Sequence, residues 1–137
     1  MRTISGRGLA EGEASGPVLV TPPISFLGDI DIRSGRIVGD LAGAHGKSVK
    51  GVVLVTPSTR GSNGSWRFLY QLYKFGQNPA AIITDAAPDP SLVQGAILAG
   101  VPVICAPDLP LGEFPQEGTV LRVSSKDGVG TISPWVD

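Results

Sequence analysis

Apolar residues in this chain cluster in short runs separated by glycine, proline and polar turns. The densest is GVVLVT at 51–56, whose unbroken β-branched run suits a strand covered on both faces. AAIIT at 80–84 and VPVICA at 101–106 read the same way. Between these runs the spacing turns helical. Residues 65–75 repeat apolar positions at Trp66, Leu69, Tyr70, Leu72 and Tyr73, with Gly76 as a stop. Residues 89–99 form a second helix, with Asp89 as its cap and Pro90 in its first turn. Upstream, a strand over 13–21 ends in VLVT before Pro22-Pro23, and 24–27 is a short strand or a turn. Arg33-Ser34-Gly35-Arg36 turns between two short β segments, and the polar, glycine-containing stretch 40–50 is a surface connection. Segments 118–123 and 128–133 form a closing hairpin around Ser125-Lys126-Asp127-Gly128. A strand–helix–strand–helix–strand order requires parallel strands joined by right-handed crossovers. The expectation is one α/β domain over 1–137 with a β-rich layer packed beside the parallel strands.

Composition narrows the function. Charged residues make up 17% and the net charge is −1, so no basic stripe is available for nucleic acid. The 137 residues are 42% hydrophobic, enough for a core of its own. A single cysteine, Cys105, fits a reducing cytoplasm, and with the single histidine, His45, it cannot build a metal site unaided. No apolar run reaches the about 20 residues of a membrane span, and the first residues lack a signal-peptide core. A soluble, cytoplasmic protein is expected.

Functional side chains concentrate in the loop TPSTRGSNGS at 56–65, between the strongest strand and the first helix. Open α/β sheets place ligands at this end of their strands. The helix N-terminus offers unpaired N–H groups and a positive dipole end. Gly61 and Gly64 permit close backbone approach, and Arg60 carries a planar fork suited to carboxylate or phosphate. Together they describe an anion cradle lined by Ser58, Ser62 and Ser65. An ordinary helix cap would use the same residue types. The Gly-Lys-Ser/Thr ending of a nucleotide-binding loop is missing, and no serine here sits in a nucleophile elbow.

GEASGPVLVTPPISFLGDIDIRSGRIV, GKSVKGVVLVTPSTRGSNGS, NPAAIIT and GAILAGVPVI follow one another in the chain. In this order they resemble the small subunit of aconitase X-type enzymes, hydro-lyases of the aconitase superfamily, over about residues 8–105. The resemblance implies a swivelling β/β/α domain like the mobile fourth domain of aconitase. It implies a large partner subunit, in a heterodimer or higher assembly, holding an iron–sulfur cluster or metal ion, with no cofactor in this chain. It also places the family's proton-abstracting serine on Ser62. Archaeal phosphomevalonate dehydratase subunits resemble Arg-Gly-Ser-Ser-Thr-Gly-Ser here, whereas this chain reads Arg60-Gly61-Ser62-Asn63-Gly64-Ser65, one residue shorter. On that difference the expected reaction is dehydration of cis-3-hydroxy-L-proline, with (R)-5-phosphomevalonate as the alternative. A non-catalytic anion-binding module is the rival of another class.

The chemistry suits a two-subunit enzyme. Removing water beside a carboxylate means taking a weakly acidic Cα proton, and a serine can do so only if its alkoxide is stabilised, as helix N–H groups and Arg60 would do. Activation of the leaving hydroxyl suits a Lewis acid. The expected substrate-binding set is Arg60, Gly61, Ser58, Ser65, Ser25 and Gly28, the last two alternatively serving only a turn. Asp29 and Asp31 are expected on a solvated face, Cys105 in the core, Trp66, Tyr70 and Tyr73 in packing, His45 on a surface loop, and 107–118 in a loop able to dock on the partner.

Overall fold

The computed structural model describes residues 3–60, 64–107 and 118–134. Its strands are β1 (Ile4–Ala10), β2 (Gly12–Val20), β3 (Val53–Thr56), β4 (Ala81–Thr84), β5 (Val103–Cys105), β6 (Val120–Lys126) and β7 (Val129–Pro134). Helix α1 (Ser65–Lys74) lies between β3 and β4, and α2 (Pro90–Ala99) between β4 and β5. The strands close into a barrel in the order β1-β5-β4-β3-β2-β6-β7. Its parallel half runs from β2 to β5, with Val18 beside Val53, Val53 beside Ala81, and Ile82 beside Val103. The antiparallel half, β6, β7 and β1, joins the edges of β2 and β5. The β-rich segments expected as a separate layer are therefore the other half of one barrel.

Alternation along the strands explains the continuous apolar runs. Val53 and Val55 of β3, with Ala81, Ile83 and Ile104, point into the barrel against Val18, Leu121, Val123 and Ile132. The intervening Leu19, Leu54, Ile82 and Val103 face the other way, onto Leu69 and Leu72 of α1 and Leu92 and Ala96 of α2. Both faces are buried, as a parallel sheet under helices demands. Each such aliphatic side chain taken out of water contributes about 1.5–3 kcal/mol.

The helices follow the sequence closely. Asp89 caps α2, its Oδ1 accepting the Leu92 N–H at 2.9 Å, with Pro90 at the first turn. Gly95 is where the helices touch: a Cβ there would lie 2.8 Å from Trp66 Cα and O. Of the apolar stripe on α1, Leu69 and Leu72 are buried, Trp66 and Tyr70 half-buried, and Tyr73 exposed. Neither helix is long and apolar enough to cross a membrane.

Residues 24–49 form a lobe against the helix-facing core. Ile24, Phe26, Ile30, Ile37, Ala44 and Val49 are all buried there, held by bridges between Ile30 and Ile37 and between Arg36 and Ser48. The stretch 40–50, expected to be wholly at the surface, thus anchors itself through Ala44 and Val49. His45 is exposed, its Nδ1 2.9 Å from the Gly39 carbonyl. Strand β1 was not expected from the sequence at all. The closing hairpin turns more tightly than expected, through Asp127 (φ 54°) and Gly128 (φ 79°), the double positive φ of a two-residue turn.

Candidate functional site at the carboxyl ends of the parallel strands

Because β2 to β5 are parallel, the segments that follow them leave the barrel at the same end. Loop 57–64 is stitched to its neighbours there. Ile24 N–H donates to the Ser58 carbonyl at 3.2 Å, and Arg60 N–H donates to the Ile24 carbonyl at 2.8 Å. On the other side, Ala86 N–H donates to the Pro57 carbonyl at 2.9 Å. Thr59 Oγ1 lies 3.3 Å from both the backbone nitrogen and Oδ2 of Asp89, at the start of α2. The loop is thus held from both sides as far as Arg60.

The Arg60 side chain emerges from this frame exposed, and no hydrogen bond or ion pair occupies its guanidinium among the described residues. Ser58 is half-buried, and its carbonyl also accepts from Thr56 Oγ1 at 3.1 Å. Gly61 and Ser62 lie outside the described residues, as does most of the 107–118 loop. Ser65 is buried to 1% exposure as the first residue of α1. Ser25 builds a turn: its N–H donates to Asp29 Oδ2 at 2.7 Å, and its Oγ accepts the Gly28 N–H at 3.4 Å. Gly28 is exposed, and a Cβ there would meet nothing within 4 Å. Asp29 is therefore occupied with backbone, while Asp31 is exposed and accepts from Ser34 Oγ at 2.8 Å.

The start of α1 differs electrostatically from that of α2. Gly64 caps α1 without a side-chain hydrogen bond, and no acidic residue lies in its first turn. Ser91 Oγ accepts the Trp66 N–H at 3.1 Å, so one first-turn donor is satisfied by the neighbouring helix. In α2 the carboxylate of Asp89 occupies the corresponding position. The positive end of α1, with Arg60 a few residues upstream, suits a carboxylate or phosphate.

The sequence reading passed over a row of threonines. Thr21, Thr56 and Thr84 lie at the carboxyl ends of adjacent strands: Thr56 is in register with Thr84, and Thr21 N–H donates to the Val55 carbonyl at 2.9 Å. The Thr56 hydroxyl is shared between the carbonyls of Pro22, at 2.9 Å, and Ser58. Thr21 Oγ1 and Thr84 Oγ1 are buried with no partner among the described residues. Their sequence signal is the threonine that closes VLVT, VLVT and IIT. Cys105, beside Thr84, is buried to 3%, with Sγ 3.6 Å from the Asp85 carbonyl. One buried thiol does not fit an iron–sulfur cluster, which takes several thiolates. Among the described residues no three His, Cys, Asp or Glu side chains gather to hold a metal ion.

The aconitase X swivel-domain model matches residues 3–132. This chain belongs to that family. Among relatives of the swivel domain, the phosphomevalonate dehydratase small subunit of Methanothermobacter thermautotrophicus is 36% identical over 123 residues, covering 89% of this chain and 93% of its own. That of Methanosarcina mazei is 38% identical over 124 residues, covering 90% and 85%. The swivel fold itself recurs in the crystal structure of holo aconitase X from Thermococcus kodakaraensis, with TM-score 0.83, 28% identity and coverage of 96% and 98%. The solution structure of a UPF0107 protein superposes with TM-score 0.86, 31% identity and coverage of 98% and 99%. The α/β swivel architecture expected from the resemblance is thus the architecture found.

Proposed function

We propose that this swivel domain is the small subunit of an aconitase X-type hydro-lyase that dehydrates (R)-5-phosphomevalonate together with a large subunit. The observation that carries the substrate is the near full-length similarity, at 35–38% identity, to relatives named phosphomevalonate dehydratase small subunit from methanogens and Pyrococcus. Nothing in these similarities supports cis-3-hydroxy-L-proline, which the one-residue shortening of the serine loop had favoured. Loop length reports a backbone path rather than the chemistry of a ligand.

The geometry fits a doubly anionic substrate. Phosphomevalonate carries a carboxylate at one end and a phosphate at the other. Arg60, whose exposed fork has no partner among the described residues, clamps one of them beside the start of α1. Ser62, two residues on, is the base that removes the C2 proton next to the carboxylate. The C2–H electron pair becomes the C2–C3 double bond as the C3–O bond breaks, and the leaving hydroxide takes up a proton to depart as water. A metal centre in the large subunit would supply Lewis-acid help to that leaving hydroxyl. The rival reading, an anion-binding module without catalysis, shares the Arg60 clamp but needs no base.

The test is to purify the chain alone, its large subunit alone, and the two mixed, and to follow water loss from (R)-5-phosphomevalonate and from cis-3-hydroxy-L-proline. The expected result is turnover of phosphomevalonate by the mixture only. Turnover of hydroxyproline alone would reverse the substrate assignment, and a mixture inert on both would favour the binding module.

A further inference from the structure

We propose that Thr59 and Asp89 form a latch that positions the Arg60 loop, a role that rests on the functional reading above. Asp89 does two jobs with its two carboxylate oxygens. Oδ1 accepts the Leu92 N–H at 2.9 Å and caps α2, while Oδ2 accepts the Thr59 hydroxyl at 3.3 Å. The Asp89 backbone N–H returns the contact, donating to Thr59 Oγ1 at 3.3 Å. A helix cap needs only the first of these bonds. The other two join the start of α2 to a loop residue 30 positions earlier, immediately before Arg60.

The opposite side of the loop is held through backbone alone. Ile24 bridges Thr59 in parallel fashion, binding the Ser58 carbonyl and the Arg60 N–H on either side of it. Thr59 is thus clamped by its flanking peptides toward the 24–49 lobe and by its side chain toward α2. Two tethers from opposite directions fix where the chain leaves for Arg60 and the serines beyond. Without the hydroxyl, one tether goes and the loop pivots on the Ile24 bridge. Thr59 and Asp89 are positioning residues: neither needs to touch substrate to set where Arg60 points.

Thr59→Val keeps the shape and β-branching but removes the hydroxyl, while Thr59→Ser keeps the hydroxyl. In the full chain, amide exchange at Arg60 should rise roughly 10- to 100-fold in Thr59→Val, the scale of losing a hydrogen bond to a carboxylate. It should stay near wild type in Thr59→Ser, with α2 exchange unchanged in both because the Leu92 cap bond remains. In the complex with the large subunit, Thr59→Val should lower kcat/KM on phosphomevalonate by roughly 10- to 100-fold, the scale of a misplaced binding group. Thr59→Ser should restore it. In an Arg60→Ala background the same Thr59→Val change should add little, because the two act as one unit. Unchanged exchange at Arg60 in Thr59→Val, or a fully additive effect with Arg60→Ala, overturns the latch. A wild-type complex inert on phosphomevalonate sinks the functional reading instead, and the exchange comparison still decides whether the latch holds the loop.

Discussion

Between β6 and β7 the chain reverses in two residues, Asp127 and Gly128, and nothing more than a tight turn results. Between β3 and α1 it spends residues 57–64 on the same kind of task and gathers an exposed arginine, three external backbone tethers and a side-chain latch. Both connections serve strands of one barrel, so the difference lies in strand direction. Antiparallel neighbours can be joined locally, and their turns have only to match the twist of the strands. Parallel neighbours need crossovers, so their connections start from one common end, where groups distant in sequence meet. Thr21, Thr56 and Thr84 line up in this way, and Thr59 meets Asp89. The antiparallel half closes the wall, and the parallel half carries the proposed site.

Interior substitutions should respond alike in both halves, because one core serves them. Ile83→Ala, from β4, and Ile132→Ala, from β7, each empty a fully buried position in the barrel. Each should lower unfolding free energy by about 2–5 kcal/mol in denaturant titration. Ile97→Ala, at a position 60% exposed on α2, should change it by less than about 0.5 kcal/mol. A large loss at Ile83 with none at Ile132 would mean that the halves are separate layers.

Arg60→Lys probes the parallel end at smaller magnitude. It preserves charge and loses the fork, so substrate binding should weaken by about 1–3 kcal/mol in the reconstituted complex while the fold is unaffected. Unchanged affinity would remove Arg60 from the site.

The threonine row gives the smallest effects and a difference in sign. Thr84→Val deletes a buried hydroxyl with no partner among the described residues, so its melting temperature should hold or rise. Thr56→Val breaks the bonds to the Pro22 and Ser58 carbonyls and should cost about 0.5–1.5 kcal/mol. Equal losses at both positions would show that Thr84 has a partner.

How much was legible in the sequence follows the same division. The buried parallel strands and the helices announce themselves, because β-branched runs, the Asp89-Pro90 start and the Gly76 stop are local signals. Strand β1 does not. At Gly6, and at Gly130 on the paired β7, there is no side chain, and Ile104 from β5 fills the space: a Cβ would fall 2.9 and 2.6 Å from its side chain. A strand whose inward positions are glycines leaves no alternation to read. The 40–50 segment hid its burial because only Ala44 and Val49 reach the core with full burial. At the site, Arg60 and the loop could be named from composition and position. The link from Thr59 to Asp89 could not, because it joins elements only the folded crossover brings together.

The proposed function puts catalysis at the parallel end of the barrel, on the loop beyond Arg60. The most direct measurement is the dehydration rate of the reconstituted complex carrying Ser62→Ala or Ser125→Ala, with exchange of the substrate C2 proton followed in deuterated water. Ser125 lies on the antiparallel seam, its hydroxyl buried in the wall between β2 and β7 with no partner among the described residues. Ser62→Ala should lower turnover and C2 exchange together by about 10²–10⁴-fold, as loss of a positioned base does, with assembly intact. Ser125→Ala should leave both near wild type. Near-normal turnover in Ser62→Ala, or an equal loss in Ser125→Ala, would contradict it.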